Sequence, residues 1–295
     1  MESWGVVIVL YHPDLAHLEQ IVGIIEQKTT SIVLVNNGRK IPASFKYNHY
    51  VLELDRNSGI AYAQNAGVHR LCESFPELEA VFFLDQDSTV APDFFSLMLT
   101  AWRKIHNKYP SLAMLSPRVN RMTEGGDYST LAVNDGRFVK RKIDFSVTPV
   151  VTGTLPISSG ILVSVIAFNQ VGGLNARWFI DWVDFDFDLN LLANGYLTAT
   201  TSEATIVHQI GSPNRRRFFG KSIAVTNYVL FREFYTARNG IYLIRKYGHY
   251  VKGLTAYCLG QIARRYLMLL YEPKKVRRFI TLTHGVLSGL ISSYR

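Results

Sequence analysis

Cysteine is nearly absent from this chain of 295 residues, which holds only two, Cys72 and Cys258. Two cysteines exclude a disulfide framework and a cysteine-rich metal site, and they fit a reducing compartment. Long apolar runs are also missing. The longest, such as residues 161–168, are strand-sized and far short of the roughly 20 residues that a membrane-spanning helix needs. The opening MESWGVVIVLYHPD carries neither a basic segment nor a small-residue cleavage site, so no signal peptide is expected. No glycine-rich, basic phosphate loop follows the first apolar segment, which disfavours a nucleotidyltransferase. Internal repeats and low-complexity tracts are absent. Acidic residues are scarce in one region. Residues 211–295 hold 16 Lys/Arg and 2 Asp/Glu, whereas residues 1–210 hold 16 and 21. So basic a segment wants an anionic partner, either nucleic acid or an anionic membrane surface. It contains no zinc-finger or other nucleic-acid-reading motif, so no nucleic-acid partner is expected.

What remains is a chain with 48% hydrophobic residues, enough for a sizeable core. Apolar runs at 6–10, 31–35, 50–54 and 81–84 predict strands, and helical spacing at 17–28 and 59–72 predicts helices between them. Asn36-Asn37-Gly38 is a turn signal. This rhythm predicts βαβ units and an α/β fold with a mostly parallel twisted sheet flanked by helices. In such sheets the functional groups sit just past the carboxyl ends of the strands. Tyr11, Asn36, Asn37, Asp85 and Asp87 fall at those places. Residues 119–150 lack periodicity and are expected to form a loop-rich insertion. Residues 158–168 return to a strand pattern, and 184–194 form a helix stopped by Gly195. After Arg217 the chain is expected to be basic, aromatic and helical, with amphipathic helices at 241–247, 257–271 and 276–290. The boundaries expected are a catalytic domain over 1–210 and a basic helical region over 211–295.

Two segments carry candidate chemistry. FFLDQDS (82–88) places Asp85 and Asp87 two residues apart after an apolar strand. Residues i and i+2 of an extended chain point the same way. Carboxylates are the hard ligands that Mg²⁺ or Mn²⁺ prefers, completed by phosphate oxygens and water. A solvated turn with two acids is the plainer alternative. WFIDWVDFDFDL (178–189) alternates four aspartates, Asp181, Asp184, Asp186 and Asp188, with aromatic and aliphatic residues. Carboxylates beside rings are candidates for a general base, although helix capping by Asp181 or Asp184 explains the segment as well. His208 follows a strand-like stretch and gains interest only beside the carboxylates. DRNSGIAYAQNAGV (55–68) puts Asn57, Gly59 and Asn65 around a helix start, a weak anion-binding signal.

Taken in order, VVIVLYH, VLVNNG, RNSGIAYAQNAG, FFLDQDS, SSGILVS, VGGLNARWFIDWVDFDFDLNLLANGY and VHQIGS resemble glycosyltransferase family 2, the inverting enzymes of the GT-A fold. The likeness runs from about Gly5 to Gly211. It implies a Rossmann-like nucleotide-binding half and a divalent metal, Mg²⁺ or Mn²⁺. It also implies that Asp87 is the direct metal ligand, with Asp85 near the ribose and metal and His208 near the metal and diphosphate. Tyr11, Asn36 and Asn37 would border the base and ribose, with Arg56, Asn57, Gly59, Asn65 and Gln86 on the nucleotide-sugar side. Asp184 matches the catalytic base, and Trp182, Asp181 and Arg238 fall on the acceptor side. Two departures stand out. Val183 occupies the place of a usual glutamate, and Asn36-Asn37 stand where an aspartate commonly faces the base. These departures leave Asp181 as a rival base.

DQD, FIDWVDFDF and FYTARN (234–239) look like the bacterial rhamnosyltransferase branch. That likeness implies dTDP-β-L-rhamnose as donor, with galactofuranosyl and other hexosyl donors as alternatives. The acceptor would be a growing cell-surface polysaccharide, such as an O-antigen or capsule, or a lipid-linked glycan. The expected location is cytoplasmic and peripheral, on the inner face of the bacterial plasma membrane. There the basic helices would meet anionic lipid or pack on the protein, including in a homodimer. A catalytically dead scaffold is disfavoured by the intact Asp85, Asp87 and Asp184.

Overall fold

The β-branched and aliphatic run WGVVIVL forms β1 (Trp4–Leu10), which is buried on nearly every side as a central parallel strand must be. The computed structural model describes residues 3–121, 128–208, 214–218, 221–225 and 229–293; at 120, 121, 128, 208, 214–218 and 221–225 this covers the backbone alone. After β1 come α1 (Leu15–Glu26), β2 (Ile32–Asn36), β3 (Val51–Glu53), α2 (Ile60–Ser74), β4 (Ala80–Asp85) and α3 (Phe94–Lys108). Then follow β5 (Leu112–Arg121), β6 (Tyr128–Asn134), β7 (Arg137–Ile143), β8 (Val150–Thr152), β9 (Ile161–Ser164), α4 (Val165–Gln170), α5 (Val183–Ala193) and β10 (Leu197–His208). Last are β11 (Asn214–Phe218), β12 (Lys221–Val225), α6 (Leu230–Tyr247), α7 (Leu254–Met268) and α8 (Lys275–Ile291). The chain divides into two compact units. The first comprises Met1–Ala132, Lys140–Ala176 and Val183–Gln209; the second comprises Val133–Val139, Arg177–Trp182 and Ile210–Arg295.

The first unit is built on an eight-stranded sheet ordered β3-β2-β1-β4-β9-β5-β10-β8. β1 pairs in parallel with β2 and β4, β2 with β3, and β10 with β5. Only β9 and β8 run against their neighbours. The sheet is therefore mostly parallel and flanked by helices. α1 starts where Asp14 accepts bonds from the backbone N–H groups of Ala16 and His17. α2 rests on the strands at Gly67, where an added Cβ would lie 2.5 Å from Val7 and 2.9 Å from Val35. Beneath the sheet Phe82, Phe94, Phe95 and Trp4 pack as a ring cluster.

Three expectations need correction. Residues 128–150, the described part of the expected loop-rich insertion beyond β5, are not loop-rich, because strands β6 and β7 pair there as a two-stranded sheet. The largely exposed side chains of β7 leave no apolar run to read there. Residues 158–168 are not one strand. Ser164 ends β9 and caps α4 by accepting the Ala167 N–H, which turns the second half of the run into a helix. The stretch after Arg217 is not all helical, since β11 and β12 pair antiparallel before α6.

In the second unit, α6, α7 and α8 are tied together by buried charges. Arg265 and Arg278 each bond both Glu233 and Glu272, with Arg278 Nη1 2.6 Å from Glu233 and 3.1 Å from Glu272. All four residues are buried, so their mutual pairing offsets the cost of removing them from water. Gly285 and Gly289 let α8 approach α6 so closely that a Cβ at Gly289 would lie 2.7 Å from Ile241.

Two stability predictions follow from the first unit. Gly67→Ala should cost about 1–3 kcal/mol in chemical denaturation, because the new methyl has no room against Val7 and Val35. An unchanged midpoint would contradict this seating of α2. The second concerns α5, which buries Asp188 fully. Burial, then the nearby Asp184 charge, hold the Asp188 carboxyl well above its ordinary pKa. Its Oδ2 is a buried oxygen without a hydrogen-bond partner. A proton held more tightly in the folded state stabilises below the unfolded pKa of about 3.9, and that contribution is lost as pH rises through the folded value. Asp188→Asn should therefore gain stability relative to the parent as pH rises from about 5 to about 8. Denaturation curves that stay parallel across that range would contradict it.

Candidate active site

Register fixes where the donor-side candidates lie. Leu10 pairs with Asn36, Asn36 with Glu53, and Val9 with Asp85. The carboxyl ends of β3, β2, β1 and β4 thus form one row, and Glu53, Asn36, Tyr11 and Asp85 follow it. β4 ends in the turn Asp85-Gln86-Asp87-Ser88, closed by the Ser88 N–H donating to the Asp85 carbonyl at 3.0 Å. The Ser88 hydroxyl accepts the Asp85 N–H at 3.1 Å and meets the Ser159 hydroxyl at 3.2 Å. Asp85 is half-buried and Asp87 exposed.

Gln86 joins this turn to the end of β1. Its Oε1 accepts the Tyr11 N–H at 2.7 Å, and its Nε2 donates to the Tyr11 carbonyl at 3.1 Å. The Tyr11 ring is left half-exposed, stacked edge-on with His12. Further along, Thr89 and Val207 exchange backbone bonds at 3.4 Å, which brings the backbone of His208 next to the acidic turn. The side chain of His208 lies outside the described residues.

The two asparagines after β2 are buried and engaged by the protein itself. Asn36 Nδ2 donates to Glu53 at 2.6 Å and to the Arg39 carbonyl at 2.8 Å, while its Oδ1 accepts the Gly38 N–H. Asn37 Oδ1 accepts the Ser58 N–H at 2.8 Å. They shape the loop rather than pointing amides at solvent. Beyond them an open cleft of about 790 Å³ is lined by Glu53, Asp55, Arg56, Asn57, Ser58 and Tyr62, with Leu54. Arg56 and Asn57 were legible as candidates. Glu53, Asp55 and Tyr62 were not singled out, although Glu53 sits at a strand's carboxyl end, the signal that could have found it. Asn57 Oδ1 accepts the Gly59 N–H, and Gly59 opens α2 with φ 86°. Asn65 is drawn into a different role. Its amide donates to the Leu174 carbonyl at 2.7 Å and accepts the Leu174 N–H at 3.0 Å, clamping the turn at Gly173.

Asp184 stands in the first turn of α5, half-buried, in the same unit as the Asp85–Asp87 turn. Asp186 and Asp188 lie deeper on the same helix and are buried. In the second unit Asp181 and Trp182 hold left-handed backbones at φ 62° and 65°, a strained pair for residues with side chains. α6 holds them there. Arg232 forks onto Asp181 with contacts of 2.7–3.0 Å, and the Thr236 hydroxyl donates to Asp181 at 2.9 Å. Asn239 Nδ2 donates to the carbonyls of Ile180 and Asp181, and Trp182 Nε1 donates to the Thr236 carbonyl. FIDW and FREFYTARN are therefore one interlocked assembly. The Asp181 carboxylate is thus held by α6 through Arg232 and Thr236. Arg238 lies over the rings of Phe234, Tyr235 and Tyr242 at 5.4, 4.7 and 5.2 Å and donates to the Arg177 carbonyl.

Among the described residues no group of three or more His, Cys, Asp or Glu could hold a metal ion. Two carboxylates at a strand end do not make a closed cage. They do fit a hard cation that takes one or two protein carboxylates and completes its shell with phosphate oxygens and water.

No protein-family profile matches the chain. Over 246 residues it is 28% identical to the dTDP-rhamnosyl transferase RfbF of Shigella flexneri, covering 81% of this chain and 79% of that protein. Among solved structures, GalNAc-T7 with UDP, GalNAc and Mn²⁺ superposes with a TM-score of 0.55 at 14% identity. That match covers 82% of this chain, which spans about half (51%) of the GalNAc-T7 chain. Residues 1–349 of S. aureus TarS superpose with a TM-score of 0.51 at 11% identity, covering 99% of this chain and 73% of that one. The parallel sheet, the acidic turn at its carboxyl edge and these likenesses mark the chain as a rhamnosyltransferase-like protein with the GT-A glycosyltransferase fold.

Proposed function

We propose that this chain is an inverting glycosyltransferase that moves L-rhamnose from dTDP-β-L-rhamnose to a hydroxyl of a growing cell-surface polysaccharide or lipid-linked glycan. The observation that carries the reading is the acidic turn Asp85-Gln86-Asp87 at the carboxyl end of β4, bonded through Gln86 to Tyr11 at the end of β1. Similarity to a dTDP-rhamnosyl transferase over four-fifths of the chain supports the donor.

In this mechanism the Tyr11 ring and the cleft after β3 bind the nucleotide, with Arg56 and Asn57 on its polar side. Asp87, with Asp85, would hold Mg²⁺ or Mn²⁺, which when bound supplies positive charge to the departing diphosphate. Asp184 accepts the proton of the acceptor hydroxyl. The freed oxygen forms the new bond to the anomeric carbon as the bond to the diphosphate oxygen breaks on the opposite face, so configuration inverts. Within the second unit α6 braces Asp181 and Trp182, and Arg238 lies over the rings of Phe234, Tyr235 and Tyr242.

Two variants separate the roles. Asp184→Asn should lower dTDP release from dTDP-rhamnose in the presence of acceptor by at least about 10²-fold and leave nucleotide binding near the parent value. Asp87→Ala should instead weaken metal-dependent nucleotide binding. Normal turnover in the first variant would remove Asp184 from the base role, and unchanged binding in the second would remove Asp87 from the metal.

A further inference from the structure

The most unusual surface among the described residues lies on α8. Val276, Phe279, Ile280, Leu287, Leu290 and Ile291 are all more than half exposed. Their spacing places them on one stripe opposite the buried face formed by Arg278, Leu282, Gly285 and Gly289. Tyr266 of α7 adjoins the stripe, with its ring 5.5 Å from Phe279 and its hydroxyl 2.9 Å from that of Thr283. Leu259, also exposed, shares Tyr266's side of α7 by helical spacing, and Leu270 is exposed in the turn just after that helix. The apolar stripe of α8 thus adjoins α7 at Tyr266.

The charge around this face has one sign. Residues 229–293 contain 11 Lys/Arg and only two acids, Glu233 and Glu272. Both acids are buried between Arg265 and Arg278, so the surface of this segment presents no carboxylate side chain. Lys274, Lys275 and Arg277 are exposed at the start of α8, and Arg264 is exposed on α7. The first turn of α8 has no acidic residue, so these cations stand at the positive end of the helix dipole, where they are unfavourable without an outside anion.

We propose that the exposed face of α7 and α8 docks on a bilayer containing anionic lipid, with the apolar stripe at the level of the acyl boundary and the cations among the headgroups. No helix among the described residues is long and apolar enough to cross a membrane, so the contact is interfacial. A second copy of this chain is the poorer occupant, because the segment would bring its cations against themselves with no surface carboxylate to pair them.

Vesicle flotation of the full chain tests the proposal without donor or turnover, so it fails or succeeds separately from the proposed reaction. The chain should float with vesicles of phosphatidylglycerol and phosphatidylcholine at low salt, and much less with phosphatidylcholine alone or at high salt. Ile280→Asp combined with Leu287→Asp should lower the fraction bound more than about tenfold. Lys274→Glu combined with Lys275→Glu, which alters only exposed side chains, should also lower it and guards against misfolding of the first variant. Failure of the parent to float at low salt would overturn the proposal, as would unchanged flotation of both variants. Sedimentation showing a dimer that the Ile280/Leu287 variant dissociates would assign the face to a second copy and overturn it too.

Discussion

The parallel pairing of β1 with β2 on one side and β4 on the other is the constraint on which the donor side of this protein depends. Parallel strands that share a direction bring their carboxyl ends to a single edge, and register decides which residues line up there. One residue of slip between β1 and β4 would turn Asp85 to the other face and separate Gln86 from the Tyr11 backbone. The paired bonds of Gln86 to the Tyr11 backbone tie that register at its carboxyl end, and the absence of a side chain at Gly67 lets α2 lie against β1 and β2.

The second unit uses a different device. Its helices are cross-linked by four buried charged groups, and one of them, α6, also carries the residues that hold Asp181 and Trp182 in left-handed backbones. The same burial of Glu233 and Glu272 removes the segment's only acids from its surface. A packing solution in the interior thus sets the character of the exterior, leaving cations and an apolar stripe facing outward on α7 and α8.

Much of this was legible in the sequence. The first four strands stand out because central parallel strands are unbroken β-branched and aliphatic runs, and the acids after β4 stand out because functional groups of such sheets lie just past the carboxyl ends of the strands. The hairpin of β6 and β7 was not legible, because exposed strands such as RFVKRKI carry no apolar periodicity. The run at 161–168 misled because a serine in an apolar stretch does not announce that it will cap a helix. Among site candidates, Asn36 and Asn65 look the same in sequence whether their amides meet a ligand or the backbone. Only the fold places Glu53 and Leu174 against them. The pairing of Asp181 with Arg232 is equally invisible along the chain, since 51 residues separate them.

The carboxyl edge of β1–β4 should receive a thymidine diphosphate together with a divalent cation. Calorimetric titration of the full chain with dTDP and with UDP, each with and without Mn²⁺, tests it most directly. Binding should require the metal and favour dTDP. Preference for UDP would contradict the rhamnose donor, and a folded protein that binds neither nucleotide with metal present would contradict the site itself.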